Sequence, residues 1–370
     1  VHGRIVGPWD APKVRFVPDG KDEVRLMDGI TVNEKTAHVL PSLQTYWLHL
    51  DVLLFLAGAL CYLLGTTFAI TRWWWLLKAN DLPVGYWDAT RFAWIGIFFN
   101  SMVPGQTGGD AIKAVYVMKR CRGDRVAALV SVIVDRVMGL GSMSLLAAIA
   151  VLFYLDEPDF RGLALVIWGI LAAVLLLGVI AFSRRIRSLV RLKWLIQKVP
   201  GRFSHLLERF DHAVFFYRSH KAGMFFWMLA GMGSHCVNVF CVYFIGEALG
   251  MGVQLQDYFV LVPVILIVSA IPIGPNGWGV GEAMFGYLFQ NFTAGGVGAH
   301  AAQTIYTRAV SLSLLYRVHL TLWSLLGGLI LLFTKERVSR QEVEHEVALE
   351  EAEEMAETSE IGGDGVGSSG

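Results

Sequence analysis

The chain is poor in charge and in cysteine, and both shortages narrow its chemistry. Charged residues make up 17% of its 370 positions against 55% hydrophobic, with a mean hydropathy of +0.52. Soluble domains carry about a quarter charged residues, so the composition excludes an ordinary soluble enzyme and predicts an integral membrane protein. The 31 basic and 31 acidic residues cancel, but they do so by segregation, with a basic block over 184–221 and an acidic one over 342–360. No nucleic-acid partner is expected. Cys61, Cys121, Cys236 and Cys241 form no CxxC pair, and in apolar surroundings they read as small hydrophobes, so neither disulfide, metal nor other cofactor is expected. GxSxG and HExxH are absent as well, which removes the usual signatures of hydrolytic chemistry.

Long apolar runs are what the chain has. A helix needs about 20 apolar residues to cross a bilayer core, and 52–71, 162–183 and 222–246 reach that length without a formal charge. The run 126–155 qualifies with Asp135 and Arg136 inside it, and 299–334 with Arg308, Arg317 and His319. The fold class expected is all-α, a polytopic membrane helix bundle over 46–335. Ahead of it, 1–45 has PDG and MDG turn signals and reads as an extracytoplasmic loop of short strands. The chain starts at Val1 without a signal-peptide pattern, and the expectation is that a further N-terminal span precedes it. Residues 336–370 read as an acidic, disordered cytoplasmic tail.

Orientation follows from the basic residues. Arg72, Lys78, Lys113, Lys119, Arg120, Arg122 and Arg125 fall on one side, and the block 184–221 returns to it two crossings later, whereas the loop 156–159 between them is acidic. That side is the cytoplasm, which puts the N-terminal segment outside and the C-terminus inside. The tryptophans Trp73, Trp74 and Trp75 beside Arg72 then read as an interfacial belt. The stretch 182–221 mixes basic and large apolar residues at near-helical spacing, as an amphipathic segment on the inner leaflet would.

Two apolar runs, 92–103 and 258–271, are too short to span and end in Pro/Gly-rich breaks, VPGQTGGD and IPIGPNGWGVGE. Each break closes on a glycine and an acid, Gly109–Asp110 and Gly281–Glu282. Backbone freed from helical hydrogen bonds is tolerated at membrane depth only inside protein or beside a wet cavity. The runs therefore read as re-entrant hairpins whose second arms, 111–120 and 283–291, begin at the acid. Three full spans lie between them, so the hairpins enter from opposite faces, an inverted repeat of the kind found in secondary transporters. Arg136 follows Asp110 at the interval at which Arg308 follows Glu282.

An ionised side chain at bilayer depth costs roughly 3 kcal/mol or more and marks a pathway. Asp110, Asp135, Arg136, Glu282, Arg308 and Arg317 are the candidates. Arg136 lies about 15 Å along the axis from a helix start near Val126, at mid-membrane. Each hairpin acid can hold a cation such as Arg136, Arg308 or Arg317, while the glycines expose N–H groups to an anionic headgroup. His235 and Asn238 read as interhelical hydrogen-bonding groups.

The runs RWWWLLKA, FFNSMVPGQTGGDAIKAVYV, ALVSVIVDRVMGL, IPIGPNGWGVGEAMFGYLF and LLYRVHLTLWSLLGG together resemble the lysylphosphatidylglycerol synthase transmembrane-region family, from Tyr46 to Phe333. The resemblance carries over Pro104, Gly105, Gly108, Gly109, Asp110, Arg136, Gly279, Gly281, Glu282 and Arg317. It favours Arg317 as the second arginine, whereas the equal spacing favours Arg308. It implies a bacterial inner-membrane flippase or transporter for a phospholipid or lipid-linked anionic headgroup. Its partners would be anionic or zwitterionic lipids and a separate lipid-modifying enzyme, since no aminoacyltransferase domain follows 334. An intramembrane headgroup transferase and an ion or small-solute transporter are the alternatives.

Overall fold

The computed structural model describes residues 3–6, 13–21, 23–28, 50–102, 108–121, 123–156, 158–182, 217–269, 279–293 and 299–334. Helix dominates them. The first, α1, runs Val52–Ala79 and is opened by Asp51, whose carboxylate accepts from the Leu53 and Leu54 N–H groups at 2.9 and 3.2 Å. It does not stop at the expected residue 71 but continues through Arg72 and the three tryptophans. Next come α2 (Tyr86–Met102), α3 (Gly108–Arg120) and α4 (Arg125–Ala150), which ends in a 3-10 turn at Val151–Tyr154. After α5 (Pro158–Phe182) the described chain resumes with a 3-10 turn at Tyr217–His220. It then forms α6 (Lys221–Ala248), α7 (Leu255–Ser269), α8 (Val280–Thr293) and α9 (Ala299–Phe333).

Val52–Ala79, Arg125–Tyr154, Lys221–Ala248 and Ile305–Phe333 are long and apolar enough to cross a membrane, and α5 adds the shorter apolar run Phe160–Leu176. The protein is therefore a multi-pass membrane protein built as a helical bundle. At about 1.5 Å per residue, α2, α3, α7 and α8 are too short to join the long spans, as their sequences imply.

The helices pack in a cross-exchanged order. α1 lies antiparallel on α6, where Gly58 meets Cys241 and Ile245 while Gly65 meets Ser234, whose hydroxyl donates to the Gly65 carbonyl at 2.9 Å. Glycine at both contacts lets the backbones approach closely. α2 packs on α3, and α7 on α8. The helix that follows the first pair, α4, packs against α7; the helix that follows the second, α9, packs against α2. The contacts of α1 with α2 and α4 are matched by those of α6 with α7 and α9. The contact of α6 with α4 is matched on α1 by Phe55 and Tyr62, whose rings meet His319 of α9 edge to face.

Apart from the helices, β1 (Gly3–Val6), β2 (Lys13–Pro18) and β3 (Arg25–Asp28) form an antiparallel meander that buries Val14 and Phe16 against Ile5 and Met27. These are the short strands expected within 1–45. Residues 29–49, nearly all of the amphipathic stretch 182–221, and the tail 336–370 lie outside the described residues.

Candidate functional site

The site is built from the starts of α3 and α8 and the middles of α4 and α9. α3 begins at Gly108, so Asp110 sits in its first turn, where a carboxylate complements the exposed N–H groups of the helix end. One of those groups has a cross-hairpin partner: the Gly109 N–H donates to Asn100 Oδ1 of α2 at 2.7 Å. Gly109 has to be glycine, because a Cβ there would lie 1.9 Å from the Gly96 carbonyl oxygen and 2.6 Å from Asn100 Cγ. The two arms of the hairpin touch backbone to backbone. Asp110 in turn is ion-paired to the Arg136 guanidinium of α4.

Asp135, one residue earlier, is about 100° around the helix and meets other partners. Arg72 of α1 donates through Nε to Asp135 Oδ1 at 2.8 Å and through Nη2 to its backbone carbonyl at 3.3 Å. Lys113 of α3 reaches Asp135 Oδ2 at 3.4 Å, with its ammonium 3.7 Å from the centroid of the Trp73 ring. Three elements are thus tied to one carboxylate. Beside it, His235 Nε2 of α6 donates to the Gly139 carbonyl at 3.0 Å.

One expectation is corrected here. Arg72 and Lys113, assigned with the cytoplasmic loops, lie within helices and are buried, at 7% and 8% exposure, and Trp73 between them is fully buried inside the bundle. Burial of these cations is compensated by Asp135 and by the ring face, which replace the lost water.

The second cluster is simpler. Gly279 adopts φ +84°, which favours glycine, and its N–H donates to Glu282 Oε2 at 2.6 Å, so the acid caps its own helix start. Glu282 is ion-paired to Arg317 of α9, with Nη2 3.5 Å from Oε2. Gly281 lies directly beneath that guanidinium, and a Cβ there would be 2.5 Å from Arg317 Nη2. Arg308 is elsewhere: it donates to the Gly250 carbonyl between α6 and α7. The two arginines are about two and a half turns apart on α9 and so face opposite sides of it. The equal chain interval that pointed to Arg308 therefore does not identify the partner. Asn238 accepts from the Tyr316 hydroxyl at 3.3 Å, an interhelical bond of the expected kind.

Each hairpin acid thus holds an arginine from the helix that follows its hairpin, Asp110 with Arg136 and Glu282 with Arg317. Pro104 and Gly105, with the rest of 103–107 and 270–278, lie outside the described residues; Gly108 opens α3. Over residues 35–333 the sequence matches the profile of the lysylphosphatidylglycerol synthase TM region. The chain belongs to that family. It is also 25% identical over 305 residues to a UPF0104 membrane protein of Pyrococcus horikoshii, covering 76% of this chain and 87% of that protein.

Sequence reasoning missed Arg72, Lys113 and Asn100 as members of this site. Arg72 carried a signal: five apolar residues follow it before Lys78, so the apolar period does not end there. Lys113 falls one turn after Asp110 between apolar neighbours, which puts it on the same face. Asn100 had no signal, because its role is set by the return of the chain across the break.

Proposed function

We propose that this protein moves an anionic or zwitterionic lipid headgroup across the membrane, as a flippase with two re-entrant hairpins related by an inverted repeat. The observation that carries this reading is the recurrence of one device, a first-turn acid paired to an arginine of the next helix, at two glycine-tight hairpins. Ionised groups within an apolar bundle are costly and are retained where something polar must pass. A headgroup leaving water needs donors, and these clusters offer guanidinium groups next to helix N-termini. The antiparallel packing of α1 on α6, the leading helices of the two units, supports hairpins that enter from opposite faces. On this reading the candidate residues Gly108, Gly109, Asp110, Asp135, Arg136, Gly279, Gly281, Glu282 and Arg317 belong to the pathway or its supports. Arg308 braces the loop between α6 and α7 outside it.

The test is leaflet exchange of a fluorescent phospholipid in proteoliposomes. Exchange that is lost in Asp110→Asn and Glu282→Gln, with both variants folded, is the expected result. Formation of a headgroup-transfer product without exchange would establish the transferase reading instead, and ion flux without lipid movement the solute-transporter reading.

A further inference from the structure

The two clusters differ in charge balance. Among the described residues, Glu282 and Arg317 match one to one, whereas around Asp110 and Asp135 three cations, Arg72, Lys113 and Arg136, share two carboxylates. One positive charge is left over in a bundle of apolar helices, and an ion in such surroundings is costly until an opposite charge joins it.

Geometry says where that charge is accessible. The side chains of Arg72, Lys113 and Asp135 are enclosed, and that of Arg317 is only 11% exposed, but the Arg136 side chain is 54% exposed. It opens onto a face of α4 that also carries Ile133, Val137 and Leu140, all exposed. These positions stand three, four and seven residues apart and form one helical stripe. A guanidinium in the middle of an apolar, outward stripe has the profile of an amphiphile turned inside out: it complements a charged headgroup and a hydrocarbon chain together.

We propose that this face is the resting site of a monoanionic lipid, with its phosphodiester at Arg136 and one acyl chain along Ile133, Val137 and Leu140. The inference rests on the flippase reading and deepens it. The surplus of one charge selects a single negative charge, the planar guanidinium suits two phosphate oxygens at once, and the stripe requires a tail.

The experiment uses the full chain in phosphatidylcholine nanodiscs containing phosphatidylglycerol, with bound lipid counted by native mass spectrometry. Inorganic phosphate and glycerophosphoglycerol serve as tail-free probes. The wild type is expected to retain phosphatidylglycerol over phosphatidylcholine and to bind neither tail-free probe. Arg136→Gln should lower retention about tenfold, the loss of one charge-assisted contact. Val137→Glu adds a carboxylate to the stripe without touching the ion pairs and should lower retention too. Asp110→Asn removes a carboxylate and should raise it, a result that a merely structural ion pair would not give. Retention unchanged in Arg136→Gln and Val137→Glu, or tail-free probes bound as tightly as lipid, overturns the site. Leaflet exchange read on the same preparations separates the two claims: exchange without Arg136-dependent retention sinks this site and leaves the flippase, and retention without exchange does the reverse.

Discussion

Asp135 and Arg136 are chain neighbours with opposite assignments: Asp135 turns inward to Arg72 and Lys113, and Arg136 turns outward to Asp110. A single turn of α4 therefore joins an enclosed anchor to an open ion pair. The anchor ties α1, α3 and α4 together, and the first prediction concerns its strength.

Asp135→Asn leaves Arg72 and Lys113 facing each other without a counter-charge. Breaking a buried pair by removing one partner costs about 3–5 kcal/mol, so the variant is expected to melt far below the wild type in detergent or to lose its monodisperse peak. Asp135→Glu keeps the charge and should recover much of the loss. An unchanged melting curve for Asp135→Asn would show that the enclosed network adds nothing to stability.

The partner of Glu282 is decided by a charge exchange. Glu282→Arg combined with Arg317→Glu re-forms the pair, so the double variant should be more stable than either single one, with a coupling on the order of 1–3 kcal/mol in a thermodynamic cycle. Glu282→Arg combined with Arg308→Glu should show no such rescue. Rescue by position 308 instead would return the pairing to the equal interval read in the sequence.

Gly109→Ala should separate the arms of the first hairpin, because its Cβ would overlap the Gly96 carbonyl. Overpacking of this kind costs about 1–3 kcal/mol, and Gly109 is buried against α2 rather than lining an open passage, so the loss should appear as reduced thermal stability before any effect on transport. Gly169, where an added Cβ meets nothing within 4 Å, provides the control. Gly169→Ala should leave the melting temperature unchanged or raise it.

Orientation is tested with single cysteines at Gly123 and Gly252, labelled by a membrane-impermeant maleimide in intact cells and in inverted vesicles. With the N-terminal segment outside, Gly123→Cys should react only from the cytoplasmic side and Gly252→Cys only from the other. The native Cys121 beside the first position gives little background: burial pushes its thiol up to about 11, so near neutral pH it holds less reactive thiolate than a free cysteine. Its reactivity should rise only as the pH climbs toward that value. Labelling of both introduced positions from one side would overturn the proposed entry of the hairpins from opposite faces.

The sequence by itself determined the class of the protein and the outline of its bundle. Hydropathy is summed along the chain, so spans, short broken runs and the acids that open α3 and α8 could be read from composition and punctuation alone. Their ends were less legible, since a helix such as α1 continues past an arginine when a partner waits inside the fold. That partner is what only the tertiary structure decided. Asp135 receives Arg72 from α1 and Lys113 from α3, Asn100 reaches the Gly109 N–H across the break, and Glu282 takes Arg317 rather than the equally spaced Arg308. Charge pairing depends on separations of a few ångströms between side chains on different helices. Those separations follow from how the helices cross and which face each presents, quantities to which an interval counted along the chain is blind.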